Sequence, residues 1–242
     1  MQKRDDECMP TTVEATTDSG TWCNQGMGEL AAVNVVHEVR PDKHNVAGHT
    51  AIDKRPVSGR VAVTGAGVHG DQQMDVAHHG GRDKAVYAYA AEDAAWWADQ
   101  LGEPVDPGRF GENLTTTGLD VTGALVGERW RIGGSDGALV EVTQPRIPCA
   151  TFQDWMGQAR WVRRFTEHGA PGAYLRVLEE GSVAAGDPVE VVHRPSHGIS
   201  IGECIAAFEP SVGRRLLEAA DGGELDLADS LRQYAERAVE RT

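Results

Sequence analysis

Apolar and polar positions alternate with period two in short runs along most of the chain, and that spacing predicts strands. The first run is Leu30-Ala31-Ala32-Val33-Asn34-Val35-Val36, and others fall at 60–64, 85–89, near 114–117, 125–132, 138–143, 174–178 and 189–193. In Glu128-Arg129-Trp130-Arg131-Ile132 and Leu139-Val140-Glu141-Val142-Thr143 every second residue shares one face. Turn signals such as Gly133-Gly134-Ser135-Asp136-Gly137 and Gly186-Asp187-Pro188 separate the runs. Two stretches have helical spacing instead. Residues 92–101 carry acidic side chains in the first turn and Gly102 after the end. Residues 159–168 place Trp161, Val162 and Phe165 on one face, with Gly169 as the stop. Many short strands with few helices predict a mainly β fold with α (α+β), rich in β-barrel. Beyond Pro195 the spacing predicts three helices, at 199–208, 212–220 and 227–241, separated by Pro210 and by Asp221-Gly222-Gly223. The expected organisation is a leader (1–28), a barrel domain (29–195) and a three-helix C-terminal region (196–242).

Composition sharpens this picture. The 29 Gly and 11 Pro among 242 residues suit a fold of many turns. A net charge of -14 argues against a chain that tracks nucleic acid or lies on an anionic membrane. The tail could tempt a helix-turn-helix reading, but residues 196–242 hold 9 acidic and 5 basic side chains, a net of -4 that is wrong for DNA. A packing bundle, or the interface of a homodimer, is expected there. Cys8, Cys23, Cys149 and Cys204 are scattered without a C-x-x-C pair, which points to a reducing compartment rather than a disulfide framework or zinc site. No apolar stretch reaches the ~18 residues that span a bilayer. The first residues are polar and partly acidic, unlike a secretory signal, and read as a disordered leader. Cytoplasm is the expected location.

Gly65-Ala66-Gly67-Val68-His69-Gly70 matches G-x-G-x-x-G after a strand, but no helical stripe follows to hold a pyrophosphate, so a dinucleotide site is rejected. His78-His79-Gly80-Gly81-Arg82-Asp83-Lys84 is either a polar turn or a ligand loop. His79, Asp83 and Lys84 would then be proton carrier, acceptor and cation beside glycines that let backbone come close. A zinc site from His69, His78 and His79 is disfavoured, because adjacent histidines rarely aim at one metal. Asn113 in Phe110-Gly111-Glu112-Asn113-Leu114 is a candidate orienting donor in an otherwise ordinary loop. In Gln144-Pro145-Arg146-Ile147-Pro148-Cys149 two prolines fix φ and remove donors, so the strand must end in a rigid loop that presents a thiol. Arg146, three residues earlier, favours thiolate over thiol. Cys204 shares a face with Ile201, Ile205 and Phe208 and reads as core. Lys54, Arg55, Lys84 and Arg146 are candidates for a local anion pocket in an acidic chain.

The order of these motifs carries a family resemblance. Thr50-Ala51-Ile52-x-Lys54-x-Pro56-Val57, Gly70-Asp71-x-Gln73-x-Asp75, His79-Gly80-Gly81-x-Asp83-Lys84-Ala85-Val86-Tyr87, Gly111-Glu112-Asn113-Leu114 and Gln144-Pro145-Arg146-x-Pro148-Cys149 resemble a MOSC domain, the C-terminal domain of molybdenum cofactor sulfurase. The resemblance runs from about residue 30 to 193. The tail is similar to the extra three-helix region of stand-alone bacterial MOSC proteins, which protect cells against N-hydroxylated base analogues such as 6-hydroxylaminopurine. It implies a barrel-rich fold, a bound molybdenum cofactor (a molybdopterin), and Cys149 as metal ligand or sulfur carrier. Thiolate is a soft ligand suited to molybdenum and can also hold a persulfide. The pterin ends in phosphate, so Lys54, Arg55 and Arg146 are expected in its pocket, with His79, Asp83, Lys84 and Asn113 around it. The chain has no flavin or iron–sulfur signature, so reduction of an N-hydroxylated substrate requires an electron-donating reductase partner. Two other readings stay open: a persulfide sulfur carrier, and a non-enzymatic module that binds an anionic small molecule.

Overall fold

The computed structural model describes residues 26–74, 80–205 and 208–240. Elements follow in chain order as β1 (Met27–Pro41), β2 (His49–Pro56), β3 (Val61–Thr64), β4 (Gly67–Val68) and β5 (Val86–Ala90), then α1 (Ala91–Leu101). The middle of the chain forms β6 (Leu114–Thr117), β7 (Arg129–Ile132) and β8 (Ala138–Pro145), then α2 (Ala150–Met156) and α3 (Trp161–His168). The last strands are β9 (Ala173–Glu179), β10 (Gly181–Val183) and β11 (Pro188–His193), and α4 (Pro210–Asp221) and α5 (Asp229–Glu240) follow.

Strand order β11-β7-β8-β9-β5-β6-β1 closes on itself, because the start of β1 pairs with β11 (Met27 opposite Glu190), giving a seven-strand barrel. Closure removes the sheet edges that would otherwise be left unpaired. β1 is long enough to serve twice: its second half leaves the barrel and pairs with β2, with Asn34 opposite Pro56. Among the described residues β5 and β6 are the one parallel pair. β10, β3 and β4 make a separate three-stranded sheet, and the glycine-rich run 65–70 is simply the turn between β3 and β4.

The barrel is filled by alternate residues such as Leu30, Trp130, Val140, Val142 and Leu175, each about fully buried. Leu216 of α4 and Leu231 of α5 belong to the same apolar cluster, so the tail packs on the barrel wall. Each such leucine contributes roughly 1.5–3 kcal/mol of hydrophobic stabilisation. A second cluster, purely aromatic at its centre, joins Tyr87 and Tyr89 of β5 to Trp97, Phe110, Phe152, Trp161 and Phe165. Phe152 meets Phe110 edge to face at 5.8 Å, the arrangement favoured by ring quadrupoles.

The C-terminal region differs from its expectation in one segment. Two α-helices form, but 199–208 carries only the 3-10 turn Gly202–Cys204 among its described residues. The reason is competition for the backbone: Val126 donates to the Ile199 carbonyl and Ile201 donates to the Ala124 carbonyl, so the segment forms a bridge with 124–126 instead of coiling. Cys204 is nevertheless core, and burial pushes its thiol up to about 12. α2 and β2 were not expected either.

Candidate active site

Pro145 is the last residue of β8 to face its neighbour, opposite Ala173. With no N–H at Pro145 or Pro148 the chain cannot continue the ladder, and it crosses the barrel rim as an extended loop. Cys149 ends that loop at φ -127°, immediately before α2, and its carbonyl accepts the Gln153 N–H at 3.0 Å. The thiol is half-buried and touches the aromatic cluster.

Around it opens a cavity of about 1000 Å³. That volume is at the upper end for small-molecule sites. Arg146 lies in its wall at 6% exposure, with its guanidinium 3.7 Å over the Phe152 ring and 5.5 Å from the Tyr87 ring. Among the described residues no carboxylate pairs with it, and its Nη1 has no hydrogen-bond partner. A desolvated guanidinium with an open N–H strongly favours an anionic oxygen. Burial raises the Tyr174 hydroxyl above its ordinary value, and the Arg146 charge and hydrogen bond oppose that rise. Gln144 adds a second buried donor: its Oε1 accepts from Ser230, while Nε2 has no partner.

Lys54, Lys84, Asp83 and Asn113 also line the cavity, but most are already engaged. The Lys54 ammonium bonds Asp71 at 2.6 Å, with both side chains almost fully buried. Asn113 donates Nδ2 to the same Asp71 oxygen at 2.8 Å and accepts the Tyr87 N–H at 3.1 Å. Asp71 also accepts the Val36 N–H at 3.0 Å, so it ties β1, β2 and the 111–113 loop together. Asp83 faces the buried Arg176 at 3.4 Å, and the Lys84 ammonium lies 5.9 Å from the Tyr174 ring. Glu112, buried and raised above its ordinary value by burial, accepts from Gly108, Phe110 and Thr115 and shapes this loop from inside.

Six of the eight candidates therefore meet at one cavity: Cys149, Arg146, Lys54, Lys84, Asp83 and Asn113. Arg55 does not. Successive strand side chains point to opposite faces, so with Lys54 turned inward Arg55 turns out and pairs with Asp53 at 3.3 Å. His79 lies outside the described residues. Sequence reasoning missed Gln144, Tyr87 and Tyr174 as wall residues, and Asp71 as the carboxylate that holds the wall residues Lys54 and Asn113. It also missed a contribution from α5, whose Ser230, Tyr234 and Arg237 reach the cavity. Gln144 and Asp71 sit inside recognised motifs and were legible there; the tail residues carry no local signal. Among the described residues no three His, Cys, Asp or Glu side chains gather as a metal site. Cys149 is the thiol among the residues that line the cavity.

The closed barrel thus carries a thiol and a buried guanidinium with an unmet N–H in the wall of one cavity, on a loop framed by prolines. The MOSC domain model matches residues 75–190. The uncharacterized protein YflK of Bacillus subtilis is 40% identical over 152 residues, covering 63% of this chain and 67% of YflK. A protein named reductase from Gibberella moniliformis is 33% identical over 149 residues, 60% of this chain but 26% of that protein. The crystal structure of YiiM from Geobacillus stearothermophilus superposes with a TM-score of 0.68 at 27% identity, covering 88% of this chain and 98% of that one. The chain belongs to the MOSC domain family.

Proposed function

We propose that the cavity holds the phosphate-bearing molybdenum cofactor and that the protein reduces N-hydroxylated compounds. The observation that carries this reading is the pairing of the Cys149 thiol with the buried, open-handed Arg146 on one cavity wall. The residues fit the group: a soft thiolate for the metal, and Arg146 Nη1 with Gln144 Nε2 as unmet donors for anionic oxygens. When bound, the cofactor supplies two-electron redox chemistry, and N–O cleavage to amine and water consumes two electrons and two protons. The electrons come from a separate reductase. The likeness to a protein named reductase supports an oxidoreductase role.

The chain's own residues orient and shelter. Phe152 and Tyr87 hold the Arg146 guanidinium flat, so its N–H directions are set before a ligand arrives. Pro145 and Pro148 fix the approach of Cys149. Lys54 is neutralised by Asp71 and shapes the wall more than it attracts an anion.

Protein made in a cofactor-competent host is expected to carry molybdenum, and Cys149→Ala to carry at least tenfold less while keeping its melting temperature. Equal molybdenum in both overturns the reading. A sulfur adduct on Cys149 after incubation with a cysteine desulfurase, seen by mass spectrometry without molybdenum, points instead to sulfur carriage.

A further inference from the structure

Gln144 and Arg146 are two residues apart on an extended chain, the spacing that sends both side chains to one side. A register shift between Val142 and Gln144 in the β8–β9 ladder bends the strand just before them. Both residues line the cavity, both are 6% exposed, and each keeps one donor without a partner, Gln144 Nε2 and Arg146 Nη1. Arg146 is held flat by the Phe152 and Tyr87 rings. Gln144 has no such clamp. Its amide carries an acceptor at one end and donors at the other, and half a turn about its last torsion exchanges them. Among the described residues the amide bonds Ser230 of α5, whose hydroxyl donates to Oε1. With Oε1 engaged on the α5 side, the NH2 end is left for the cavity. Ser230 does not depend on Gln144 for its place. Leu227, Ala228 and Leu231, on either side of it in the chain, are buried in the barrel's apolar cluster. Asp226 adds a polar clamp, accepting from buried Arg176 and from Arg82 at 2.9 Å. The hydroxyl is therefore set by the tail's own packing before any ligand arrives.

We infer that Ser230 is a positioning residue: it fixes the Gln144 amide so that Nε2 joins Arg146 Nη1 as a two-donor cradle for an anionic oxygen. The C-terminal region thereby completes a site that the barrel alone leaves half-oriented. The inference rests on the function proposed above in one respect, that the cavity takes an anionic group. An amide turned the other way would aim its oxygen at that group and repel it. Where water is scarce, the difference between the two orientations is large.

The test uses the full chain, made in a cofactor-competent host and in one that lacks the cofactor. Molybdenum is measured in the first preparation, and calorimetry follows the binding of inorganic phosphate to the second. Wild type is compared with Ser230→Ala, Ser230→Thr, Gln144→Ala, Arg146→Ala and the double variant Ser230→Ala/Gln144→Ala, and a melting temperature is recorded for each. Ser230→Ala is expected to weaken phosphate binding or molybdenum retention roughly three- to tenfold, the range of one net hydrogen bond. Gln144→Ala should lose as much, and the double variant no more than Gln144→Ala. Ser230→Thr keeps the hydroxyl and should match the wild type. A loss of phosphate binding assigns the cradle to a phosphate oxygen, and a loss of molybdenum alone assigns it to a different anionic oxygen of the cofactor; either supports the inference. Ser230→Ala that matches the wild type in both measurements while Gln144→Ala does not overturns it. So do losses that add in the double variant, or a loss that Ser230→Thr shares. If Arg146→Ala and Gln144→Ala match the wild type too, or the wild type takes neither phosphate nor molybdenum, the reading of the cavity itself fails and the inference with it.

Discussion

Removing the Asp71 carboxylate tests the architecture of the cavity wall most directly. Its side chain is 6% exposed, it holds the Lys54 ammonium at 2.6 Å, and Lys54 is 10% exposed. Asp71→Ala leaves a nearly buried cation without its counter-charge and strips acceptors from Asn113 and from the Val36 N–H. Breaking a buried ion pair from one side costs about 3–5 kcal/mol. For a domain of this size that corresponds to a fall in Tm of roughly 6–20 °C. Most of the cost is the stranded charge, so adding Lys54→Met should recover at least about 2 kcal/mol, because replacing both partners with well-packed apolar groups is often near neutral. Urea unfolding of the wild type, both single variants and the double variant closes the cycle. If Lys54→Met recovers nothing in the Asp71→Ala background, the pair is not the source of the loss. The hydrogen bonds to Asn113 and Val36 would then account for it.

Other residues offer independent checks. Burial raises the Asp93 carboxyl from 3.8 to about 6, with a hydrogen bond from Thr122 opposing the rise. A raised folded pKa gives stability that is present below about pH 4 and is lost as pH rises through 6, worth up to roughly 3 kcal/mol. Asp93→Asn should flatten the fall in urea midpoint between pH 4 and 6; an unchanged slope removes Asp93 as its source. Gly108 has φ +86°, and a Cβ there would lie 2.4 Å from the Lys54 carbonyl oxygen. Gly108→Ala should therefore cost at least about 2 kcal/mol in guanidinium unfolding, and an unshifted midpoint would refute the crowding. In the native fold, iodoacetamide at pH 8 should modify half-buried Cys149 well before Cys204, whose buried thiol is pushed up to about 12. Peptide mapping reads the order, and earlier modification of Cys204 contradicts it.

Period-two alternation marked the barrel strands well, because each keeps one face inside: Trp130 and Ile132 are buried while Arg129 is exposed. It failed at β2, where the charged run Asp53-Lys54-Arg55 interrupts the alternation. Asp53 is 2% exposed there and satisfied by Arg40 and Arg55, and hydropathy cannot tell a paired buried charge from a solvated one. It failed in the other direction at 199–208, where an apolar spacing fit for a helix was overridden by backbone pairing with 124–126. Helix α2 was hidden because two prolines just before it suggested continued loop, although Gly157 at φ 64° ends it as a left-handed cap should. At the site, motif order located Cys149 and Arg146 without showing what they face. The approach of Ser230 to Gln144 spans 86 residues of sequence, and no local pattern records such a contact.

The charge arithmetic also changes meaning in three dimensions. In the sequence, Lys54, Arg55, Lys84 and Arg146 are four cations gathered against a net charge of -14. In the fold, Asp71 neutralises Lys54, and Asp53 takes Arg55 on the outer face of its strand. Arg82, which the cavity also reaches, is paired with Asp226. Arg146 is different: rings rather than carboxylates pack it, so its charge stays available at low dielectric, where each hydrogen bond to an anion is stronger than in water. An acidic surface would then discourage anions everywhere except at a site able to take them through oriented N–H groups. Selectivity for an anionic cofactor would follow from one guanidinium held still, more than from a basic patch.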